Sequence, residues 1–367
     1  MISPREAGPA DPELLESLLG RVQAYRGPPV TVMEVCGTHT VAIARMGLRA
    51  LLPPTIRLLS GPGCPVCVTP VDAFDAAVHL VLERGVTLAT YGDALRVPGT
   101  GGTLAEARAR GGDVRVVYSA LDALDLARQD PAREVVLLGL GFETTAPTVA
   151  HAVRLARDQG VANFSVLSFH KAILPAMEAL LQDPEVGVDA FLCPGHVSMV
   201  LGAQAYSGLA ERYRVPCVIA GFEPGDVLLG LLCVLRQAAR GTARAENAYP
   251  RAVGPRGNPA ALGAMESVFE RVPSRWRGLG ELPDSGYDLA EHFAEWDARR
   301  RFLEGMRFEG REPPGCRCAE VLRGVLEPEA CPLFGTGCTP GSPAGACMVS
   351  SEGACGARYR YRGAGRA

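Results

Sequence analysis

The sequence lacks the features of several large protein classes. No apolar run approaches the ~20 residues of a membrane-spanning helix, and the first twenty residues carry Pro, Asp and Glu where a signal peptide is continuously apolar. The 37 basic residues do not outnumber the 40 acidic ones, and the net charge of −3 gives no basic footprint for nucleic acid. No glycine loop ending in Lys-Ser or Lys-Thr indicates a nucleotide site. We therefore expect a cytoplasmic protein that contacts neither membrane nor nucleic acid.

The number of cysteines in the sequence needs an explanation. Twelve cysteines in 367 residues fall far below the ~8–10% of a disulfide scaffold, and disulfides are rare in a reducing compartment. Metal binding or redox chemistry is the better interpretation. Two of the twelve, Cys217 and Cys233, lie in apolar strand and helix patterns and are expected to be structural.

Short β-branched runs alternate with helical stretches, which predicts βαβ units and parallel sheets. The eight predicted strands fall into two sets of four with similar spacing: 30–35, 56–59, 86–90, 114–118 and 135–140, 164–168, 189–192, 217–220. This predicts two similar parallel-sheet α/β domains in tandem, residues 28–130 and 131–240, facing a cleft.

The two ends of the chain differ from this pattern. Residues 1–27 contain one amphipathic helix, at 11–25, which we expect to pack on the C-terminal region. Residues 241–367 have scattered helix at 260–270 and 287–302 and become rich in Cys and Gly after Pro313. An irregular segment of this kind needs something other than a hydrophobic core to hold it, and we expect a Cys-rich iron–sulfur domain.

Distinctive residues follow six of the predicted strands. In an open parallel sheet, ligands bind beyond the carboxyl ends of the strands. The six segments therefore predict a shared cleft; they are 36–40 (CGTHT), 61–67 (GPGCPVC), 141–145 (GFETT), 169–171 (FHK), 193–198 (CPGHVS) and 221–224 (GFEP).

Cys64 and Cys67 form a C-x-x-C pair in a loop tightened by Gly and Pro. This spacing allows the two sulfurs to share a metal or to close a short disulfide, and a following helix favours thiolate character. Half of a zinc site is the structural alternative, although a structural zinc needs four ligands. Cys36 could supply a third thiolate.

The other candidate residues each have a second interpretation. Cys36 could be a buried core cysteine, and His39 could either orient the thiol or cap the next helix. His196 could be a satisfied imidazole in a tight turn. Glu143 and Glu223 could be ordinary acids at helix N-termini.

The tail contains six thiols within 40 residues and no histidine: Cys316, Cys318, Cys331, Cys338, Cys347 and Cys355. Such spacing on an irregular chain favours an iron–sulfur cluster over a mixed zinc site. A Cys₄ zinc site stays open as the alternative.

Taken together, these motifs resemble the HypD family of [NiFe]-hydrogenase maturation factors. The matching segments run from residue 36 nearly to the C-terminus: CGTHT at 36–40, GPGCPVC at 61–67, GFETT at 141–145, PGHVS at 194–198, GFEP at 221–224, CPLFGTGC at 331–338 and CMVSSEGAC at 347–355.

The resemblance implies a cytoplasmic assembly factor rather than an enzyme with catalytic turnover. Such proteins bind a small HypC-type chaperone and build an iron centre carrying cyanide and carbon monoxide, Fe(CN)₂CO. They receive cyanide from a HypE-type donor complex and serve the hydrogenase large subunit indirectly. The family also implies a [4Fe–4S] cluster in the C-terminal region.

The resemblance further implies roles for individual residues. Cys36 would be the iron ligand, with Cys64 and Cys67 as a thiol pair near it. His39, Glu143, His196, Glu223 and Glu352 fall in motifs expected to matter for assembly. The cluster ligands implied by the resemblance are Cys331, Cys338, Cys355 and one of Cys316 or Cys318.

Soft thiolates support electron-rich iron, and we expect the tail cluster and the Cys64–Cys67 pair to supply electrons. A rival function is an iron–sulfur-linked thiol–disulfide reductase that acts on a protein substrate, which would give Cys36, His39 and His196 no role. A zinc-stabilised α/β binding module is a third interpretation, and metal analysis would identify it.

Overall fold

A computed structural model gives the structure of residues 12–363. Residues 1–11, which include the start of the predicted N-terminal segment, lie outside the described residues. Twelve strands are present in that range: β1 Val30–Glu34, β2 Ile56–Ser60, β3 Thr87–Thr90, β4 Val114–Val116, β5 Val135–Gly139, β6 Phe164–Ser168, β7 His170–Lys171, β8 Ala190–Pro194, β9 Cys217–Ala220, β10 Ala245–Asn247, β11 Phe269–Trp276 and β12 Gly280–Leu289.

The helices of the described range cover the faces of the sheets, and a few short ones lie in the C-terminal segment. They are α1 Pro12–Gln23, α2 Gly37–Arg45, α3 Leu48–Leu51, α4 Pro65–Val68, α5 Val71–Glu83, α6 Leu104–Ala109, α7 Ala120–Gln129, α8 Ala146–Asp158, α9 Ile173–Gln182, α10 Gly195–Leu201, α11 Ser207–Tyr213, α12 Pro224–Arg240, α13 Pro259–Val268, α14 Ala298–Phe302, α15 Cys318–Leu322, α16 Ala346–Val349 and α17 Ala354–Arg360. Short 3₁₀ helices occupy Gly92–Arg96, Ala203–Tyr206, Glu291–Trp296 and Pro328–Ala330.

Two parallel sheets form the centre of the fold, which confirms the predicted α/β class. The first sheet has the order β10-β9-β8-β1-β2, and the second has the order β4-β3-β5-β6. Strands β5, β6 and β8 are buried along their whole length, as expected where helices cover both faces of a parallel sheet.

The predicted tandem arrangement of the strands is wrong. Strands β1 and β2 belong to the first sheet, β3 to β6 form the second, and the chain then returns to add β8, β9 and β10 to the first. Val32 of β1 pairs with Ala190 of β8, so residues 28–130 and 131–240 each contribute to both sheets. The alternation of strands and helices predicts βαβ units, but it does not determine which strands become neighbours.

A small third sheet is antiparallel and has the order β11-β12-β7. Strands β11 and β12 form a hairpin, and β7 pairs with β12. The sequence analysis missed it and wrongly placed helix at residues 287–289, which are the end of β12. One face of β11 is charged and exposed, and its register shifts between Val272 and Ser274, beside Pro273. A bulge at a proline is compatible with a strand but breaks the alternation that would identify it.

The N-terminal helix α1 packs on α12, not on the C-terminal region as predicted. Leu18 and Val22 of α1 are buried in one apolar cluster with Val227 and Leu231 of α12. Because α12 covers the first sheet, α1 extends that helical layer.

The C-terminal segment has three short helices, α15, α16 and α17, and its apolar residues join the core of the two large sheets. Cys318, Cys338, Cys347 and Cys355 are buried within this core, whereas Cys316 and Cys331 are partly exposed. Across residues 12–363, none of the helices combines the length and the apolar character needed to cross a membrane.

Candidate functional site

A cavity of about 790 Å³ lies where the carboxyl ends of strands from both sheets meet. Four of the six predicted segments contribute to its wall, as does Glu352 from the C-terminal segment. The lining residues from these segments are Cys36, Thr38, Gly63, Pro65, Phe142, Thr144, Thr145, Pro194, His196, Val197 and Glu352. The structure thus brings most of the predicted cleft together.

Part of the cavity wall was not predicted. Asn258 and Pro259, at the start of α13, and Gly257 line it as well. They follow a stretch of sequence without a chemical motif, so no signal in the sequence identified them.

Cys36 lies at the end of β1 and immediately before α2, where it is 7% exposed. Burial, together with the nearby carboxylates of Glu352 and Glu34, raises the pKa of its thiol to about 12. The backbone N–H groups of Thr38 and His39 act in the opposite direction. The thiol is therefore neutral near pH 7 unless a metal displaces its proton.

The Cys36 loop is held by an extremely close backbone contact. A Cβ atom on Gly63 would lie 2.1 Å from the Cys36 nitrogen, and the N–H of Gly37 donates to the Gly63 carbonyl at 2.9 Å. Only glycine at position 63 permits this approach. The GPGCPVC loop therefore positions Cys36 in addition to carrying its own thiols.

Glu34 is a buried residue of this site that the sequence analysis missed. It is 0% exposed, and its carboxyl group accepts from the Cys36 N–H at 3.2 Å and from the Thr40 hydroxyl at 2.6 Å. Burial raises its pKa to about 7. The sequence did contain a signal for Glu34: it is an acidic residue at the end of an apolar strand, two residues before Cys36.

His39 does not line the cavity. Its Nε2 is 2.9 Å from the Gly221 carbonyl oxygen, and burial lowers the pKa of the imidazole to about 4. Phe222 lies between two histidines, with ring centroids 4.9 Å from His39 and 3.9 Å from His196. The GFEP segment thus contributes to the site by supporting these two rings.

His196 is the imidazole that does reach the cavity. It is exposed at the first turn of α10 and stacks on Phe222. Partial burial lowers its pKa, which Glu352 partly counteracts. His196 is therefore a neutral base at the cavity wall near pH 7.

The two glutamates of the GFE segments have different surroundings, and neither lines the cavity. Glu143 is 1% exposed; its Oε1 accepts from the Ile173 N–H at 3.1 Å, and its Oε2 has no partner among the described residues. Burial raises the pKa of Glu143 to about 7. Glu223 is exposed at the N-terminus of α12, as the structural alternative predicts.

Glu352 connects the C-terminal segment to the Cys36 loop. Its Oε1 accepts from the Thr38 hydroxyl at 2.8 Å. The neighbouring Ser350 hydroxyl donates to Asp93 at 2.8 Å, and Asp93 lies in the 3₁₀ helix after β3. Residues 350–352 therefore bridge the carboxyl-end loops of both large sheets.

Cys64 and Cys67 are joined by a disulfide. Cys64 precedes α4, whose first residue is Pro65. In this oxidised form neither sulfur is a free thiolate ligand for a metal. The Cys67 sulfur lies 3.8 Å from the Ala346 carbonyl oxygen, so the pair contacts α16 of the C-terminal segment.

The six tail thiols share one neighbourhood. Cys347 contacts both Cys318 and Cys355, Cys316 contacts Cys318, and Cys338 lies in the electrostatic field of Cys331 and Cys355. Cys347, which the resemblance left without a role, is thus central to the group. Cys347 is the second residue of the short helix α16, and its spacing in the sequence did not indicate this central position.

The donor chemistry of the tail fits an iron–sulfur cluster. Its potential ligands are thiols in a largely buried setting, and the Ala344 N–H lies 3.3 Å from the Cys338 sulfur, as a donor to a ligating sulfur would. Within residues 12–363, however, no three or more His, Cys, Asp or Glu side chains are arranged around one metal position.

Comparison with known proteins identifies the family. A model of the HypD family, described as the hydrogenase formation hypA family, matches residues 13–362. The chain is 47% identical to hydrogenase maturation factor HypD of Rhodobacter capsulatus over 96% of this chain and 97% of the relative. It is 46% identical to hydrogenase maturation factor HypD of Escherichia coli strain K12 over 91% of this chain and 90% of the relative. With its motif-bearing loops gathered at one cavity and these matches over nearly its full length, the chain belongs to the HypD family.

Proposed function

We propose that the chain is a hydrogenase maturation factor that serves as the scaffold for assembly of the Fe(CN)₂CO centre of [NiFe]-hydrogenase. The observation that carries this proposal is the position of Cys36: a buried thiol in the wall of a 790 Å³ cavity, at the meeting point of motif loops from both sheets. Its family membership supports the same function.

Cys36 is suited to hold the iron as a substrate. A soft thiolate supports electron-rich iron that binds cyanide and carbon monoxide. The cavity leaves open space for diatomic ligands and for a ligand from a partner. Because the free thiol has a pKa of about 12, iron binding must displace its proton.

His196 and Glu352 are the polar side chains best placed to accept that proton. Both line the cavity with Cys36, and the Glu352 charge acts on both Cys36 and His196. The neutral imidazole of His196 accepts the proton, and Glu352 stabilises the imidazolium that results. His39 and Glu143 support the surrounding loops through their hydrogen bonds to Gly221 and Ile173.

The Cys64–Cys67 pair supplies electrons by cycling between disulfide and dithiol. Oxidation of the dithiol releases two electrons and two protons to the assembly reaction. The pair lies in the loop that positions Cys36 and contacts α16 of the tail, so it lies between the cavity and the tail thiols.

The tail would hold a [4Fe–4S] cluster through Cys331, Cys338, Cys355 and one of Cys316 or Cys318. When bound, such a cluster supplies one-electron redox chemistry. Burial of Cys338 and Cys355 in the common core keeps water from these two thiols.

The proposed partners are a HypC-type chaperone, a HypE-type cyanide donor complex and, indirectly, the hydrogenase large subunit. The chaperone would contribute a ligand to iron held at Cys36 through the open side of the cavity. We further propose that the protein acts in the cytoplasm and is an assembly factor with redox activity rather than an enzyme with turnover.

Infrared spectroscopy tests this function directly. The protein, purified without oxygen together with its HypC-type chaperone, should show stretching bands of iron-bound cyanide and carbon monoxide. Complexes that contain iron but show no such bands would contradict the proposal.

An iron–sulfur-linked thiol–disulfide reductase is the second candidate, since the Cys64–Cys67 disulfide contacts the Cys-rich tail. It predicts reduction of a protein substrate that is unaffected by replacing Cys36. The presence of Cys36, Thr38, His196 and Glu352 around one cavity favours the scaffold function.

A further inference from the structure

Asn258 is a polar residue of the cavity wall to which neither the sequence motifs nor the proposed assembly reaction gives a role. It lies immediately before α13 and is exposed there. Its side-chain Oδ1 accepts from the backbone N–H groups of Ala260 and Ala261, at 3.1 Å and 3.2 Å. Asn258 is therefore the N-cap of α13.

These two capping bonds determine the orientation of the Asn258 carboxamide. Backbone N–H groups are donors, so the atom that meets them is the amide oxygen and not the NH₂ group. The Nδ2 group donates to no residue within 12–363. Because Asn258 lines the cavity, its two N–H donors are available to a ligand there. The two bonds accepted at Oδ1 polarise the amide, which strengthens donation from Nδ2.

The backbone around Asn258 is held against the helix that carries His196. The Asn258 N–H donates to the Val200 carbonyl at 3.0 Å. Gly257 has a φ of +67°, and a Cβ atom there would lie 2.0 Å from the same carbonyl oxygen, so only glycine permits this approach. Since Val200 belongs to α10, Asn258 has a fixed position relative to His196.

The hydroxyl groups of the cavity wall are less selective than this amide. The Thr38 hydroxyl donates to Glu352 at 2.8 Å, and the Thr145 hydroxyl donates to a backbone carbonyl at 3.3 Å. The Thr144 hydroxyl can act as a donor or as an acceptor, whereas Nδ2 of Asn258 can only donate. The amide of Asn258 therefore favours a ligand that accepts hydrogen bonds.

We propose that Asn258 recognises iron-bound cyanide in the cavity through a hydrogen bond from Nδ2 to the cyanide nitrogen. This inference deepens the proposed function and rests on it for the presence of the iron. Coordinated cyanide carries negative charge and a nitrogen lone pair that accepts hydrogen bonds, whereas the oxygen of coordinated carbon monoxide is a weak acceptor. The positive end of the α13 dipole also favours negative charge at this place. Asn258 is thus a specificity-determining residue that distinguishes the two diatomic ligands.

Two substitutions separate cyanide recognition from helix capping. Asn258→Ser and Asn258→Asp both retain a side-chain oxygen that caps a helix about as well as asparagine does, so both should unfold at the urea concentration of wild type. Both remove the Nδ2 donor, and Asn258→Asp adds a negative charge that repels cyanide. If Asn258 only caps α13, all three proteins should behave alike. Recognition predicts that cyanide is retained best by wild type, less well by Asn258→Ser and least by Asn258→Asp.

Infrared spectroscopy of the complex with the HypC-type chaperone measures this retention. Isotopically labelled cyanide is added, and the original cyanide bands disappear at the rate at which bound cyanide exchanges. Loss of one hydrogen bond to a charged group should make this exchange about tenfold faster in Asn258→Ser, and faster still in Asn258→Asp. A cyanide band should also change position in both variants, whereas the carbon monoxide band should move less.

The other outcomes separate this inference from the proposed function. Equal exchange rates and band positions in wild type and both variants would overturn the inference and leave the proposed function intact. Weaker chaperone binding with wild-type bands and exchange rates would assign the amide to the partner protein, which also overturns the inference. If wild type shows no cyanide bands, the proposed function fails and the inference fails with it. If one variant does not fold, the other decides by the same comparison.

Discussion

The Thr38 hydroxyl donates a hydrogen bond of 2.8 Å to the Glu352 carboxylate, although the two residues are 314 positions apart in the chain. Thr38 belongs to the loop that carries Cys36, and Glu352 lies between Cys347 and Cys355. The bond therefore connects the candidate iron ligand to the Cys-rich tail. Glu352 of the tail also lines the cavity, so changes at either end should be detectable at the other.

Removing this bond should loosen the tail. Glu352→Ala should lower the free energy of unfolding by about 1.5 kcal/mol, the usual contribution of a hydrogen bond to a charged group. Thr38→Val should cost a similar amount, and the double variant little more than either single one. Hydrogen exchange of residues 347–356 should speed up in all three. Fully additive costs would show that the two side chains do not interact.

The Cys64–Cys67 pair should be reversibly redox-active. Its sulfurs are bonded in the structure and lie in a loop beside both Cys36 and the tail. Differential alkylation should show two thiols that appear together as the potential is lowered and disappear together as it is raised. Cys64→Ser should leave Cys67 as a thiol at every potential, because its disulfide partner is gone. Equal, slow labelling of both sulfurs under oxidising and reducing conditions would mean that the pair is only structural.

The tail should bind iron. Protein purified without oxygen should be brown and contain about four irons per chain in a cluster, and Cys338→Ser should lose that colour and loosen the tail because the metal supports its fold. Cys233→Ser is the matched control, since Cys233 is buried beneath α1, far from the tail thiols in the fold. A colourless wild-type protein with stoichiometric zinc would refute the iron–sulfur assignment.

His39 should make stability depend on pH. Its pKa is about 4 in the folded chain because of burial, against about 6.5 when unfolded. Between these values the unfolded chain binds the proton more readily, so acidification from pH 6.5 to 4 favours unfolding by at most about 1.4 kcal/mol per pH unit.

Comparison with a His39→Gln variant isolates this contribution. His170, with a pKa of about 3, and Glu34 and Glu143, with pKa values of about 7, also titrate differently on unfolding. They are present in both proteins, so their contributions cancel in the difference. Urea unfolding should show the stability advantage of wild type over His39→Gln shrinking as the pH falls from 6.5 to 4. A constant difference would mean that His39 is protonated alike in both states.

Local patterns predicted much of the fold and of the cavity. Apolar β-branched runs identified nearly all strands of the two parallel sheets, and the rule that ligands bind beyond strand ends placed Cys36, Thr145 and His196 at one site. These features depend on residues close together in the chain, so they can be predicted from the sequence alone.

Long-range pairing could not be predicted in the same way. Nothing local to β1 specifies that it pairs with β8, some 160 residues later, or that Glu352 meets Thr38. The side chain of His39 turns to the Gly221 carbonyl because Phe222 packs on its ring, a contact that exists only after the first sheet has formed. Cys347 lies between Cys318 and Cys355 for the same reason.

The infrared spectrum of the Cys36→Ala variant tests the central claim most directly. This substitution removes the only thiol in the cavity wall of the described structure. Wild type, Cys36→Ala and the control Cys233→Ser are purified without oxygen in complex with the HypC-type chaperone. The scaffold function predicts iron-bound cyanide and carbon monoxide bands in wild type and Cys233→Ser, and their loss in Cys36→Ala while its fold and tail iron are retained. Unchanged bands in Cys36→Ala, together with normal hydrogenase maturation, would contradict the assignment of Cys36 as the iron ligand.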